Sequence, residues 1–476
     1  MEEDKPSDAT LPRVAYFQHE DIGLFHYGRE HPMKPFRIRM ADSLVRSYGL
    51  LDLKNITVHN TPTASRDDLT RFHDADYVRF LETAEQEAEE EPSSRARFNI
   101  DEDCPVFPGM YDFCLLSAGG SIAGARLLNR GKKYGSHICD SASGFCYVND
   151  IVLGILELLR VYKRVLYVDI DVHHGDGVEE AFYTTDRVMT LSLHKFGNFF
   201  PYSGDAGDAG AGSGVGYALN APLHDGMDDA SYVALVAPLL RQVMTHFAPD
   251  AVVLQCGADS LSQDWLGTFN LTLKGHGFCV DFFRRQGVPL LLLGGGGYTI
   301  SNVARCWTWE TAVALLGAEE ASEMLLEDGG TVPRTDPYVD YYLPDLSLRV
   351  DATNRPNLNS AEYLDYLRVR FGEALRNLPH RPSVQLGQDV SKIAAEARVS
   401  SNCRQMKTGR KTVEDGLPEW LTTLWDVDSN DKDRADRQRQ RGDRPTVFSV
   451  VPDNAYLNSL TSYFSTPLFA SSTVRP

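Results

Sequence analysis

The segment Val165-Leu166-Tyr167-Val168-Asp169-Ile170-Asp171-Val172-His173-His174-Gly175-Asp176-Gly177 (VLYVDIDVHHGDG) governs how the rest of the chain is read. Its first half is apolar and β-branched, which predicts a buried strand. Its second half sets Asp169, Asp171, Asp176, His173 and His174 within eight residues. Asp171 and His173 are two apart, so in an extended segment they point to one side. A carboxylate beside an imidazole at the C-terminal end of a strand begins a divalent metal site. Gly175 and Gly177 allow a tight turn away from it. The competing reading is a strand ending in a solvated polar turn. That suffices for one such group but not for five behind a buried strand, where charge has to be paired or ligated.

Other strands end in the same manner. Arg187 to Leu193 (RVMTLSL) reads as a strand, and Asp250 to Cys256 (DAVVLQC) as a buried one that runs into Gly257-Ala258-Asp259-Ser260. Val288 to Leu293 (VPLLLL) is followed by Gly294-Gly295-Gly296-Gly297-Tyr298. Four glycines let the backbone approach a neighbour closely and swing Tyr298 inward. Arg13 to Phe17 (RVAYF) opens the series. Helical patterns lie between, at Arg66 to Leu81, Phe113 to Leu128 and behind Asn149 or Asp150, either of which caps a helix well. The expectation is an α/β domain with a parallel sheet and helices on both faces. Sites in such sheets form at the C-terminal strand ends, which is where Asp171, His173, Asp259 and Tyr298 all fall.

Composition narrows the function. The chain has 476 residues, a net charge of −19 and 42% hydrophobic residues, ample for a large core. Phosphate backbones demand a basic face, so direct DNA or RNA binding is not expected; cationic partners such as lysine-rich tails are favoured by steering. The eight cysteines form no CxxC pair and suit a reduced compartment. The start, MEEDKPSDATLPR, is acidic and unlike a signal peptide, and no apolar run approaches the ~20 residues of a membrane span. Residues 1–12 read as a disordered leader, 13–390 as one catalytic domain, and 391–476 as an extension. The extension is partly disordered, with its last ~30 residues packing on the domain or on a partner. The Gly-rich stretch 204–216 lacks a GxGxxG before a helix and is read as a loop.

Several motifs together resemble the class I histone deacetylases. DIDVHHGDG (169–177) is similar to that family's metal-binding motif, and HPMKP (31–35), GFCYVNDI (144–151), QCGADSL (255–261) and GGGGY (294–298) stand in its order and rough spacing. The resemblance runs from about Arg13 to about Gln385. It implies the arginase/deacetylase fold and a zinc-dependent amidohydrolase acting on acetyl-lysine of proteins, histones first, with chromatin regulation as the setting. The expected compartment is the nucleus, with the cytoplasm beside it, although no basic import cluster stands out. A multiprotein complex is expected as well. By resemblance Asp171, His173 and Asp259 hold the zinc, Tyr298 donates to the oxyanion, and Asp176 orients a catalytic imidazole. Ligand type alone also admits Fe(II). One structural potassium matches Asp169, Asp171, His173, Ser192 and Leu193, and a second matches Phe182, Thr185, Val188 and Tyr217. Asp103 matches a rim residue that holds the substrate backbone. Gly144-Phe145 and Phe200 match the two walls of an acyl-lysine tunnel, Leu266 matches a further substrate contact, and Arg37 lines an inner acetate channel.

Two departures from the family stand out. The family carries adjacent histidines before its GFCY motif, whereas Tyr134 to Gly144 holds one, His137. A gapless alignment sets Gly135 and Ser136 at the pair; a one-residue deletion sets Ser136 and His137 there and keeps the general base. Inositol phosphate binding is not expected either. Lys34 is kept, but Trp265 and Ser301 stand where the class has arginines, and losing two cations weakens a polyanion site. Two rival functions follow: an inactive acyl-lysine-binding scaffold, and a deacylase for other acyl groups or small acetylated amines.

Overall fold

The computed structural model describes residues 13–86, 97–100, 103–130, 134–138 (backbone only), 145–326 and 330–378. The proposed leader, Gly144 and the whole of the C-terminal extension 391–476 lie outside the described residues.

Eight parallel strands form one sheet: β1 (Arg13–Gln18), β2 (Ile56–Asn60), β3 (Tyr134–Ile138), β4 (Val165–Asp169), β5 (Val188–Lys195), β6 (Ala218–Leu223), β7 (Ala251–Gln255) and β8 (Leu290–Leu293). Their order across the sheet is β2-β1-β3-β8-β7-β4-β5-β6. The order reverses direction through the middle, so crossovers place helices on both faces. Strands β4, β7 and β8 are buried at every position, in keeping with their unbroken apolar sequences. Helix starts are set locally. Asn149, Asp228, Thr272 and Ser360 each accept a backbone N–H in the first turn of the helix that follows. The stretch Arg66 to Leu81 is two helices rather than one, Arg66–Leu69 and Ala75–Thr83, because Asp74 caps a fresh start.

Register is what positions the site. Asp169 pairs with both Gln255 and Ser192. Gln255 pairs with Leu293, and Leu293 with Ile138. Strands β3, β8, β7 and β4 therefore end at one level, with Ser192 of β5 beside them, and the loops leaving those four share one rim. Strand β4 stops at Asp169, so Asp171 and His173 lie in the following loop rather than on the strand itself. Among the described residues no helix is long and apolar enough to cross a membrane.

Candidate active site

Three ligand-type side chains converge above β4 and β7. His173 Nδ1 lies 2.9 Å from Asp171 Oδ1 and 3.0 Å from Asp259 Oδ2. Asp171 and Asp259 are 3% and 0% exposed. Each carboxylate is aimed by its second oxygen or its neighbours. Asp171 Oδ2 accepts from Gln255 Nε2 at 3.0 Å and from Gly296 N at 2.8 Å. Asp259 Oδ1 accepts from Val172 N at 2.9 Å. The glycine run after β8 is what permits this: a Cβ on Gly296 would stand 2.0 Å from Asp259 Oδ2.

Burial and neighbouring charges set the electrostatics of these groups. Burial and the adjacent Asp171 raise Asp259 to about 7. Burial and Asp171 likewise raise Asp169 to about 8. Burial opposes charge on His173, but Asp259 and Asp171 outweigh it and lift the imidazole to about 10. Burial opposes charge on Asp171 too; its bonds to His173 and Gln255 win and hold it below the usual carboxylate range. A bound cation displaces such protons, and two carboxylates with one imidazole suit a divalent metal. The donor set fits a metal ion held by Asp171, His173 and Asp259.

Aromatic side chains pack around this centre. Tyr298 is buried, with its ring edge-on to His173 at 6.4 Å and to Phe145 at 5.8 Å. Phe200 meets His173 edge-on at 6.0 Å, so Phe200 packs on the ligand histidine and Phe145 on Tyr298. Phe199, the residue before Phe200 and unmarked by the sequence, stacks on His173 at 5.1 Å and 16°. Burial, then Asp259 and Asp171, push the Tyr298 phenol well up, so it stays a donor. Its hydroxyl has no hydrogen-bond partner among the described residues. Arg37, fully buried, donates to Gly297 O at 2.6 Å and Gly295 O at 2.7 Å, and packs over Trp307. At the rim the Asp103 carbonyl is 3.0 Å from His31 Nε2, and His31 lies against Phe145.

Other expected residues are more scattered. Asp169 Oδ1 accepts from Asp171 N at 3.0 Å, and Ser192 Oγ accepts from Gly175 N at 3.3 Å, placing both beneath the metal loop. Leu193 is one residue further along β5. Phe182, Thr185, Val188 and Tyr217 gather instead at the start of β5, the opposite end of the sheet: Val188 pairs with Val165. Asp176 opens the helix Asp176–Phe182, where its Oδ1 accepts from Gly177 N at 2.7 Å. His137 is a strand residue of β3, paired with Tyr16 and Leu292, not a loop residue; its side chain lies outside the described residues.

A second ligand-type cluster, His276, Cys306 and Glu310, is buried behind the sheet. Within it His276 Nδ1 pairs with Glu310 Oε1 at 2.9 Å, and His276 Nε2 meets Ser260 Oγ at 2.8 Å. Ser260 Oγ is also 2.8 Å from Ile170 O, which links the Asp259 turn to the metal loop.

Residues 31–314 match the family described as the histone deacetylase domain. The chain is 46% identical over 460 residues to Histone deacetylase HDAC1 of Drosophila melanogaster, covering 94% of this chain and 80% of that protein. It is 50% identical over 390 residues to Histone deacetylase 1 of Homo sapiens, covering 80% and 78%. It is 52% identical over 390 residues to Histone deacetylase 6 of Arabidopsis thaliana, covering 79% and 80%. The fly alignment continues beyond Gln385, further than the motifs alone carry the similarity.

Proposed function

The chain belongs to the histone deacetylase family and is a lysine deacetylase, and on that premise we propose how its residues divide the work. The substrate is an acetyl-lysine side chain on a protein tail, histone tails first, hydrolysed to acetate and the free amine. The metal is Zn(II), held by Asp171, His173 and Asp259. Such an ion supplies Lewis acidity toward the acetamide carbonyl and lowers the pKa of water from 15.7 toward roughly 7.

The protein's own groups do the rest. Phe145 and Phe200 flank the alkyl chain and exclude water from it. The Tyr298 hydroxyl, unpartnered among the described residues, donates to the oxyanion as the carbonyl carbon becomes tetrahedral; such a donor is typically worth about 3–4 kcal/mol. His137 takes the proton of the attacking water and returns it to the leaving amine as the C–N bond breaks. Only histidine titrates near neutrality unperturbed, which suits it to both steps. Asp176 orients that imidazole. Asp103 holds the substrate backbone at the rim, Leu266 adds a contact below it, and Arg37 lines the acetate exit. Potassium ions sit at Asp169, Asp171, His173, Ser192 and Leu193, and at Phe182, Thr185, Val188 and Tyr217. Nuclear localisation and membership of a multiprotein complex belong to the same proposal.

The observation that carries this reading is the convergence of Asp171, His173 and Asp259 beside the Tyr298 ring, with Phe200 against His173 and Phe145 against Tyr298. The test is acetate release from acetylated histone-tail peptides by the purified protein. Chelation is expected to abolish it and Zn(II) to restore it. No turnover by the zinc-loaded protein favours the scaffold, and faster turnover of longer acyl-lysines or acetylated polyamines favours the other rival.

A further inference from the structure

One carboxylate ties the loop after Asp259 to the turn that carries Tyr298. Asp264 is 7% exposed. Its Oδ1 accepts from Leu266 N at 3.0 Å and Gly267 N at 3.1 Å. Its Oδ2 accepts from Tyr298 N at 2.8 Å and Thr299 N at 3.1 Å. Thr299 Oγ1 adds a parallel tie by donating to Gln263 O at 2.9 Å. Gln263 itself sits at φ +63°, a left-handed conformation that a non-glycine residue holds only where its surroundings impose it. Gly267 seats the loop directly on the metal-ligand turn, since a Cβ there would lie 1.9 Å from Asp259 O.

No ion pair neutralises Asp264 among the described residues. Four backbone N–H donors hold it instead, against a burial that raises its pKa, and charge-assisted bonds of this kind are about twice as strong as neutral ones. They are also geometrically divided: one oxygen serves the substrate-side loop and the other serves the Tyr298 turn. A shift of either segment misaligns bonds to both.

We propose that Asp264 is a positioning residue that fixes the Tyr298 hydroxyl relative to the metal-ligand loop, and with it the rim segment bearing Leu266 and the exposed Trp265. This rests on the role given to Tyr298 under the proposed function. The carboxylate touches neither substrate nor reacting atoms; it acts through the backbone of Tyr298. Placement of the hydroxyl to within a fraction of an ångström decides how well it meets the oxyanion, and that precision is what is lost without the clamp.

The experiment is a double-mutant cycle on turnover of an acetyl-lysine peptide by the zinc-loaded full chain, with Asp264→Asn, Tyr298→Phe and both together. Asp264→Asn keeps the shape but sets an amide N–H₂ against two N–H donors. The expected result is a fall in kcat of about 10–100-fold, a KM within about threefold, and unchanged metal content. In the Tyr298→Phe background the same change is expected to lower kcat by less than about threefold. Equal losses in both backgrounds overturn the proposal, because a merely structural role is additive, and so does a parental kcat in Asp264→Asn. Tyr298→Phe at parental kcat refutes the role of Tyr298 itself and removes the proposal with it, a result distinct from additivity. Should Asp264→Asn fail to fold, Thr299→Val decides: it removes only the parallel tie, and is expected to lower kcat several-fold in the parent and not beside Tyr298→Phe. A parental kcat in Thr299→Val overturns the proposal.

Discussion

His173 is held on every side. Two carboxylates face its Nδ1, Phe199 stacks on its ring, and Phe200 and Tyr298 close the edges. Asp171, His173, Asp259 and Tyr298 stand out in the sequence, because few environments tolerate buried carboxylates and a run of four glycines, and the fold brings them together. The supports did not announce themselves. Gln255, Asp264 and Phe199 are ordinary residue types whose roles depend on what the fold brings opposite them. A Gln at the end of a buried strand was the one usable hint. His137 carries the sharpest prediction at this scale. Its replacement by Ala is expected to lower peptide turnover by about 10²–10⁴ while leaving zinc content intact. A rate within threefold of the parent would assign the proton transfer elsewhere.

The sheet elements show where pattern reading succeeds and where it stops. Strands β1, β4, β7 and β8 were legible because their cores are continuous apolar runs, and β5 because apolar residues alternate with Thr190 and Ser192. Strands β2, β3 and β6 were not. The β2 segment ITVHN is an edge strand with half-buried and exposed positions only, and YGSHI is too polar to signal a strand. In β6, ALNAPL contains Pro222, which an edge position tolerates since it lacks only an outward N–H. Two predictions belong here. Gly296→Ala is expected to reduce zinc content and activity together, since its Cβ would meet the Asp259 carboxylate; full metal loading would contradict that close approach.

The second concerns Asp150 at the start of the helix Asp150–Leu158. Burial raises its carboxyl to about 7, against the opposing bond from Ser121. The folded pKa then exceeds the unfolded value near 3.9, so the folded state binds more protons between the two. The group's contribution to stability is complete below about pH 4 and is lost as pH rises toward 7. Asp150→Asn is expected to remove that slope. Between pH 5 and 8 the parent should lose about 2–3 kcal/mol relative to the variant in denaturant unfolding. Parallel profiles would show that Asp150 does not titrate there.

At the scale of the whole molecule, charge decides which partners approach. A net charge of −19 suits lysine-rich tails and repels polyanions. Around Lys34 the cation is already engaged: its ammonium donates to the carbonyls of Gly28 at 3.0 Å and Arg29 at 2.8 Å. Trp265 nearby in sequence to the metal turn is 53% exposed and uncharged. Inositol hexakisphosphate at micromolar concentration is therefore expected to leave the purified enzyme's turnover unchanged; activation reversed by Lys34→Ala would overturn this. The central claim is that Asp171, His173 and Asp259 hold the catalytic metal of a lysine deacetylase. It is tested most directly by measuring zinc content and acetyl-lysine peptide turnover side by side in the parent and in Asp259→Asn. The account predicts one catalytic zinc and turnover in the parent, and loss of both in the variant. Full zinc and full activity in Asp259→Asn would contradict it.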